Sequence, residues 1–376
     1  MTPRERMITA FANKQPDMVP VSPDISNMVP CRLTGKPFWD IYLHGDPPLW
    51  KAYIEAVRYF GFDGWLPFGG FSVPNPDVES ESRTVSETDE RIVTRTTYHT
   101  PAGDLWQETT YYRADPPTVT VKPVKRIPED LEMWIKYFYP DSSEGGDSGY
   151  WPVKSEMGDL GVVGPSVGLP GLQDLFNIVH GGMEAVISVY MDYPALIQKY
   201  REAQENYWVK LAERILQVSP DFLMIGVSGL TTLQSPEIFR GLSLPTLQKV
   251  TAMAKEAGIP SHLHACGRQR ALVEICANET DLSSIEPLEI PPMGDCDLAE
   301  VKRKFGRRLA LKGNLHTTDV MLRGTPDDVR RESRRCMDVA AEGGGYVLST
   351  GDQCGRDTPD ANIFAMIEAA REYGVY

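Results

Sequence analysis

The sequence predicts an α/β protein, specifically a (β/α)8 TIM barrel with a β-hairpin-containing insertion after the second strand. Eight short apolar runs alternate with segments of helical period, which is typical of repeated βα units around a parallel sheet. Between about residues 70 and 150 the apolar pattern changes to period two, which indicates antiparallel strands. Periodicity also allows an open doubly wound sheet, although no glycine-rich dinucleotide fingerprint follows the first run. Decorated barrels of this length fold as one domain, so we expect a single domain over residues 1–376.

The predicted elements follow one another in a simple order. A short amphipathic helix comes first, and Thr2 and Pro3 mark its N-terminus. A helical segment at 48–60 separates the first strand, 19–22, from the second strand, 64–68. The remaining six strands are expected at 161–164, 221–225, 261–266, 283–285, 309–312 and 346–349. Each of these six runs is followed by a loop and a helical pattern, as a parallel sheet requires.

The insertion is predicted from alternating residues on both sides of one turn. The runs 93–98 and 105–112 alternate with period two around the turn residues 101–104, which is the pattern of a β-hairpin. A third run, 118–124, could extend this hairpin, and 128–139 has the pattern of a helix. We therefore expect a small antiparallel unit between the second and third barrel strands.

Composition and charge exclude several classes of protein. A formal net charge of −14 would repel phosphate backbones, so nucleic acid is not expected as a partner and a small molecule is. No run of 18 apolar residues is present, and the N-terminus lacks a signal-peptide core, so we expect no membrane partner and a cytoplasmic protein. Six cysteines are too few for a disulfide framework, which leaves some of them free to bind metal.

One strand carries an alternating set of metal-binding residue types. His262, His264 and Cys266 share one face of the predicted strand, and His264 and Cys266 lie at its carboxyl end, where barrel enzymes place their active sites. Cys354 follows the last strand in a polar, glycine-containing loop on the same rim. One imidazole and two thiolates with a vacant position are typical of catalytic zinc. The alternative is that the cysteines are small core residues and the histidines are simply hydrogen-bonded.

A series of motifs resembles the uroporphyrinogen decarboxylase superfamily, in the same order along the chain. The motifs are the segments 263–267 (LHACG), 311–315 (LKGNL), 324–329 (GTPDDV), 343–346 (GGGY) and 358–363 (TPDANI). The resemblance runs from residues 2–6 to 373–374, which is nearly the whole chain, and it implies a barrel fold.

Within that superfamily the sequence departs from the true decarboxylases, which carry an arginine-rich segment near the first strand. Here only Arg32 lies nearby, and Asp24 alone does not restore a site for a tetrapyrrole with many carboxylates. The corrinoid-linked methyltransferases are more similar, because their zinc motif is a His-x-Cys pair followed by a distant cysteine, which His264, Cys266 and Cys354 match. Cys354 is displaced by a residue or two relative to the enzymes that methylate coenzyme M, and a sister group cleaves aromatic methyl ethers.

The resemblance implies a zinc-dependent methyltransferase that moves a methyl group from an aromatic methyl ether to the Co(I) corrinoid of a partner protein, which is O-demethylation. The alternatives are a methyl-corrinoid:thiol methyltransferase, a uroporphyrinogen decarboxylase, and a corrinoid-binding or sensing protein without catalysis. The expected cofactors are zinc and a corrinoid carried by the partner, and a homodimer is an open alternative for the oligomeric state.

Other polar and aromatic residues near the strand ends are candidates for supporting roles. Glu286 and His316 are candidates for a fourth ligand or for contacts to the ligands, since a carboxylate can orient a ligating imidazole. The candidate substrate contacts are Asp24, Asn27, Trp65 and Asn314. Packing in the core is the alternative for Trp65, and Lys312 is interpreted as a barrel residue rather than a Schiff-base lysine.

Overall fold

The computed structural model describes residues 1–376. Helices flank a set of parallel strands, and a separate antiparallel sheet lies between β1 and β6. The strands are β1 (Gly64–Pro67), β2 (Glu79–Glu87), β3 (Arg91–Thr100), β4 (Gly103–Tyr112), β5 (Thr118–Val121), β6 (Gly161–Gly164), β7 (Ser166–Val167), β8 (Leu223–Gly226), β9 (Ser261–His264), β10 (Ser284–Glu286), β11 (Ala310–His316) and β12 (Tyr346–Gly351).

Sixteen helices connect and cover these strands. They are α1 (Pro3–Phe11), α2 (Met28–Leu33), α3 (Phe38–Tyr42), α4 (Leu49–Phe60), α5 (Glu129–Tyr137), α6 (Tyr150–Met157), α7 (Leu172–Ile178), α8 (Gly182–Asp192), α9 (Pro194–Gln217), α10 (Leu230–Leu233), α11 (Pro236–Leu242), α12 (Leu244–Glu256), α13 (Arg270–Glu279), α14 (Leu298–Phe305), α15 (Pro326–Ala340) and α16 (Asp360–Tyr373). A 3₁₀ turn, Gly158–Leu160, and a π-helical turn, Thr317–Leu322, complete the set. None of these helices combines the length and apolar character needed to cross a bilayer.

The parallel strands confirm the predicted α/β fold with a parallel sheet. Six strands pair in the order β12-β11-β10-β9-β8-β7, and β1 pairs with β6. Only Pro165 separates β6 from β7, and its carbonyl accepts from the Met224 amide at 2.9 Å. The apolar runs predicted at 64–68 and from 161 onward therefore lie in parallel strands, with β11 and β12 extending beyond the predicted ends.

The first predicted strand, 19–22, is reduced to a short bridge. Val21 pairs with Leu348 of β12, and the Asp63 amide, just before β1, donates to the Val21 carbonyl at 2.9 Å. Pro20 and Pro23 flank this bridge and have no N–H to donate to a ladder, which limits how far a strand can extend here.

The N-terminal helix α1 closes the amino-terminal end of the parallel strands. As predicted, Thr2 caps it: the Glu5 amide donates to Thr2 Oγ1 at 3.2 Å, and the Thr2 amide donates to Glu5 Oε2 at 2.9 Å. Phe11 at its other end is fully buried and stacks on His262, with ring centroids 4.6 Å apart. Helix α1 therefore covers His262 and shields it from solvent.

The segment between β1 and β6 forms a four-stranded antiparallel sheet in the order β2-β3-β4-β5. The predicted hairpin is present, with β3 and β4 paired from Arg91 and Tyr112 to Thr100 and Gly103. The run 118–124 contributes β5, and the predicted helix 128–139 corresponds to α5. Strand β2 was not predicted, because its residues are all exposed and rich in serine and glutamate and show no apolar alternation.

Candidate functional site

The candidate site is built at the carboxyl end of β9 and on its two neighbouring strands. His264 is in register with Gly226 of β8 and with Glu286 of β10. The strand ends there because the chain turns at Gly267, which has φ +88. A Cβ atom at this position would overlap the Thr232 hydroxyl, so glycine is required for the turn that places Cys266 at the rim.

Glu286 is the centre of a buried charged cluster. Its Oε2 pairs with the Lys312 ammonium, and its Oε1 lies 3.0 Å from His264 Nδ1 and 3.6 Å from His262 Nε2. Burial by itself raises the pKa of Glu286, but Lys312 and the two histidines hold this pKa well below its usual range. The Lys312 ammonium also lies over the Trp65 ring, 4.0 Å from its centroid. Glu286 is therefore a charge-paired anion in the interior.

His264 is oriented by that anion. Because Nδ1 donates to the Glu286 carboxylate, Nε2 is the ring nitrogen left for a metal or a substrate. The His264 side chain is 16% exposed, so it reaches the rim from a mostly buried position. Burial lowers the pKa of His264, but the neighbouring Cys266 and Glu286 outweigh it and raise this pKa well above its usual value.

The two candidate cysteines lie in different environments. Cys266 is partly exposed and lies next to His264. Cys354 is fully buried in the main hydrophobic core, its amide donates to the Asp24 carbonyl at 2.8 Å, and Thr350 and Thr358 lie beside its thiol. Burial raises the pKa of the Cys354 thiol to about 12. No group of three or more histidine, cysteine, aspartate or glutamate side chains converges in a geometry that holds a metal.

Asp352 is a site residue that the sequence analysis missed. It directly follows β12 and has φ +84, a region of backbone conformation that costs strain in a residue with a side chain. Its carboxylate is half-buried; burial raises the Asp352 pKa, and the facing His264 lowers it. A polar residue at the end of the last strand was the available signal, but its backbone strain is visible only in the structure.

Asp24 lies beside the loop that follows β12, where its amide donates to Thr350 Oγ1 at 3.0 Å, and Asn27 follows three residues later. Asp24 is buried and folded into a turn, since its Oδ1 accepts from the Ser26 amide at 3.0 Å. Asn27 and Ser26 line a cavity of about 420 Å³ whose other walls are Leu49, Trp50, Leu66, Pro67 and Phe68. Gln353 Nε2 donates to Ser26 Oγ at 2.7 Å and ties this cavity to the loop that carries Cys354.

Trp65 and Asn314 lie in the interior and not in this cavity. Trp65 is buried, with its ring edge on His262 at 5.6 Å between centroids. Asn314 is buried on β11, where its Nδ2 donates to the Leu288 carbonyl at 2.9 Å. Both side chains therefore support the strands that carry the charged cluster.

His316 caps the π-helical turn after β11. Its Nδ1 accepts from the amides of Thr318, at 3.2 Å, and Asp319, at 2.9 Å. The neutral ring then carries its proton on Nε2, which is buried and makes no hydrogen bond, with Asp319 Oδ2 3.9 Å away. His316 is for this reason better suited to donate a hydrogen bond than to bind a metal.

Comparison with known proteins gives both a family and a fold. The profile of the family described as Uroporphyrinogen decarboxylase (URO-D) matches residues 175–373. Methylcobamide:CoM methyltransferase MtaA of Methanosarcina barkeri is 33% identical over 142 residues, which are 38% of this chain and 38% of that protein. Methylcobamide:CoM methyltransferase MtbA of Methanosarcina acetivorans is 27% identical over 137 residues, 36% of this chain and 37% of that protein.

The matched segments thus span well under half the length of these curated relatives. A solved methyltransferase from Methanosarcina mazei superimposes over 99% of both chains with a TM-score of 0.66 at 18% identity. This superposition supports the likeness of fold alone.

Proposed function

The chain belongs to the uroporphyrinogen decarboxylase (URO-D) family, and from this premise we propose that it is a methyltransferase that moves a methyl group from a small substrate to the Co(I) corrinoid of a partner protein. The family resemblance found in the sequence motifs is thereby confirmed. The observation that carries the proposal is the pairing of a partly exposed thiol, Cys266, with an imidazole, His264, whose other nitrogen is held by a buried carboxylate. That combination occurs at the carboxyl end of a parallel strand, where barrel enzymes do their chemistry.

The proposal includes a closed (β/α)8 barrel with the antiparallel sheet as an insertion after the second strand. The support is the segment 19–22, which bonds to Leu348 of β12 on one side and to Asp63, ahead of β1, on the other. Continuity of β6 and β7 through Pro165 would join the two parallel sheets. One domain over residues 1–376 follows from this arrangement.

The donor chemistry of the site fits a zinc ion. His264 and Cys266 would supply two ligands, and the loop after β12, where the sequence predicts Cys354, would supply the third. Glu286 fits the usual arrangement in which a carboxylate fixes the ring of a ligating histidine. When bound, zinc supplies a Lewis acid that stabilises negative charge developing on a substrate heteroatom.

The residues around the pair have their own tasks in this proposal. Lys312 keeps Glu286 ionised, and Glu286 holds His264 Nδ1 so that Nε2 is left for the metal. His316 would hold the π-helical turn after β11, and Asn27 would offer an amide beside the apolar cavity. Trp65, Asn314 and Asp24 would hold these groups in position.

The proposed methyl donor is an aromatic methyl ether. The cavity beside Asn27 favours it, because leucine, proline and aromatic side chains form most of the wall and its size suits one substituted ring. The relatives named as methylcobamide:CoM methyltransferases favour a second candidate, methylation of a thiol. A tetrapyrrole substrate is disfavoured because Arg32, the arginine nearest to the first strand in the sequence, is paired with Asp360 at 2.5 Å.

A spectroscopic assay tests the proposal. The protein is mixed with a Co(I) corrinoid protein and, separately, with methoxyarenes, methylated amines and methylated thiols, and formation of methyl-Co(III) is followed by absorbance. We expect methylation from a methoxyarene, about one zinc per chain, and loss of both in His264→Ala and Cys266→Ala. A protein that binds no zinc and methylates from no donor overturns the proposal, and porphyrinogen turnover by metal-free protein would establish a decarboxylase.

The same preparation tests assembly. Light scattering of the chain with and without the corrinoid protein separates a monomer from a homodimer and measures the stoichiometry of the complex. A corrinoid protein that neither binds nor is methylated would contradict the proposed partner.

A further inference from the structure

A second cavity opens on the same rim, next to β8. Its volume is about 490 Å³, within the range of small-molecule sites, and it lies between the ends of β7 and β8, helix α7 and helix α9. Gly226 and Val227 form part of its wall, and the Val227 amide donates to the His264 carbonyl at 3.1 Å. The cavity is therefore one strand away from the candidate site but uses none of its side chains.

The lining of this cavity includes one acidic side chain and no basic side chain. None of its 13 lining residues is a lysine, arginine or histidine, and its only ionisable side chain is Asp174. The groups around Asp174 are neutral: the Tyr200 hydroxyl and the Gln204 amide donate to its Oδ2, and the Tyr139 hydroxyl lies beside it. Burial raises the pKa of Asp174, so a cation beside this carboxyl group would favour its ionised form. No protein hydrogen bond reaches Asp174 Oδ1, so one carboxylate oxygen can still accept. An anionic ligand would find no counter-charge here.

The remaining walls include the aromatic surfaces of Trp208 and Phe176. Gly168 lets the indole lie against the backbone, since a Cβ there would come within 2.8 Å of the ring. Lys122 lies over the Phe176 ring at 3.6 Å but does not line the cavity.

We propose that this cavity binds a small organic ammonium ion. Asp174 Oδ1 would neutralise the ammonium, and the Trp208 ring would face its methyl groups as aromatic walls do for quaternary ammonium ions. This site does not depend on zinc or on methyl transfer.

Isothermal titration with choline tests the proposal against a neutral isostere, 3,3-dimethylbutan-1-ol, in which carbon replaces the charged nitrogen. We expect the intact protein to bind choline at least about tenfold more tightly than the isostere. Equal binding of the two, or no binding of choline at millimolar concentration, overturns the proposal. This comparison needs no variant, so it holds even where a substitution disturbs folding.

Two variants with the same change in net charge locate the site. Asp174→Asn should weaken choline binding by at least about tenfold and leave the isostere unchanged. Glu184→Gln, which removes an exposed carboxylate of the neighbouring helix α8, should bind choline like the parent protein. Unchanged choline affinity in Asp174→Asn, with circular dichroism that shows a folded protein, would place the cation elsewhere and refute the assignment.

Discussion

The β9 side and the β12 side of the candidate site carry one cysteine each but hold it by different forces. On the β9 side, Cys266 lies at an open rim beside a buried charged cluster that fixes the neighbouring His264. On the β12 side, Cys354 is packed in the apolar core with a protonated thiol. The comparison shows that the charged cluster already orients His264 beside an accessible Cys266. Cys354, in contrast, must become exposed or lose its proton before its sulfur can bind a metal.

The largest expected effect is on the charged cluster of the β9 side. Lys312→Met leaves the buried Glu286 without its cation, so the free energy of unfolding should fall by about 3–5 kcal/mol in chemical denaturation. The matched control is Lys304→Met, whose exposed pair with Glu300 should contribute only about 0.5 kcal/mol. Similar losses in the two variants would show that Glu286 is not held by Lys312.

The reactivity of the two thiols should differ next most strongly. In chelator-treated protein at pH 8, Cys266 should react with iodoacetamide at least about 100 times faster than Cys354, because the thiolate is the nucleophile. Peptide mapping by mass spectrometry measures both rates. Raising the pH towards about 12, the pKa of Cys354, should increase the thiolate fraction of Cys354 and bring its reaction rate closer to that of Cys266.

Added zinc extends the thiol measurement to the ligand set. Protection of both cysteines would support Cys354 as the third ligand, and protection of Cys266 alone would assign the third position to another group of the loop. Equal labelling of the two cysteines before zinc is added would contradict the predicted difference in reactivity between Cys266 and Cys354.

The turn that ends the β9 side should tolerate substitution less than the loop on the β12 side. Gly267→Ala introduces a Cβ at φ +88 against the Thr232 hydroxyl, so we expect a loss of about 1–3 kcal/mol in unfolding free energy. Gly355→Ala, one residue after Cys354, meets nothing within 4 Å and should change stability by less than about 0.5 kcal/mol. Thermal denaturation of both variants makes the comparison, and an unchanged Gly267→Ala would contradict the strained turn.

The smallest effect is expected between the two sides, at His316. His316→Ala removes the cap of the π-helical turn and should lower stability by about 1 kcal/mol, whereas His316→Asn keeps an acceptor and should recover part of it. If His316 bound zinc, His316→Asn would lower the zinc content, and elemental analysis would show it. We expect the zinc content to stay at its parental value.

Sequence periodicity was sufficient for the parallel strands and for the pair at the end of β9. His262 and His264 could be placed on one face of β9 because strand residues alternate, whereas Cys266 lies two residues beyond the end of that strand. A continuous apolar run around Trp65 and Leu66 marked β1. Strand β2 could not be predicted, since both of its faces are polar and exposed. The first strand was overestimated because Pro20 and Pro23 carry apolar side chains but no N–H.

The interior of the site depends on register and on local backbone conformation, which a sequence does not display. Lys312 reaches Glu286 only because β10 and β11 are neighbours, and nothing in the segment 311–315 indicates that partner. The positive φ of Asp352 sets the course of the chain before Cys354, so the burial of that thiol follows from a turn rather than from residue type.

The stacking of Phe11 on His262 has a consequence for how the molecule is made. The aromatic partners of Phe11 in helix α1, Phe222 and His262, follow it in the chain by more than 200 residues and are therefore synthesised much later. Contacts that far apart in the chain form late, because the loop between them must be closed before they contribute stability. The packing of α1 beneath β9 is therefore completed only after most of the polypeptide has been synthesised.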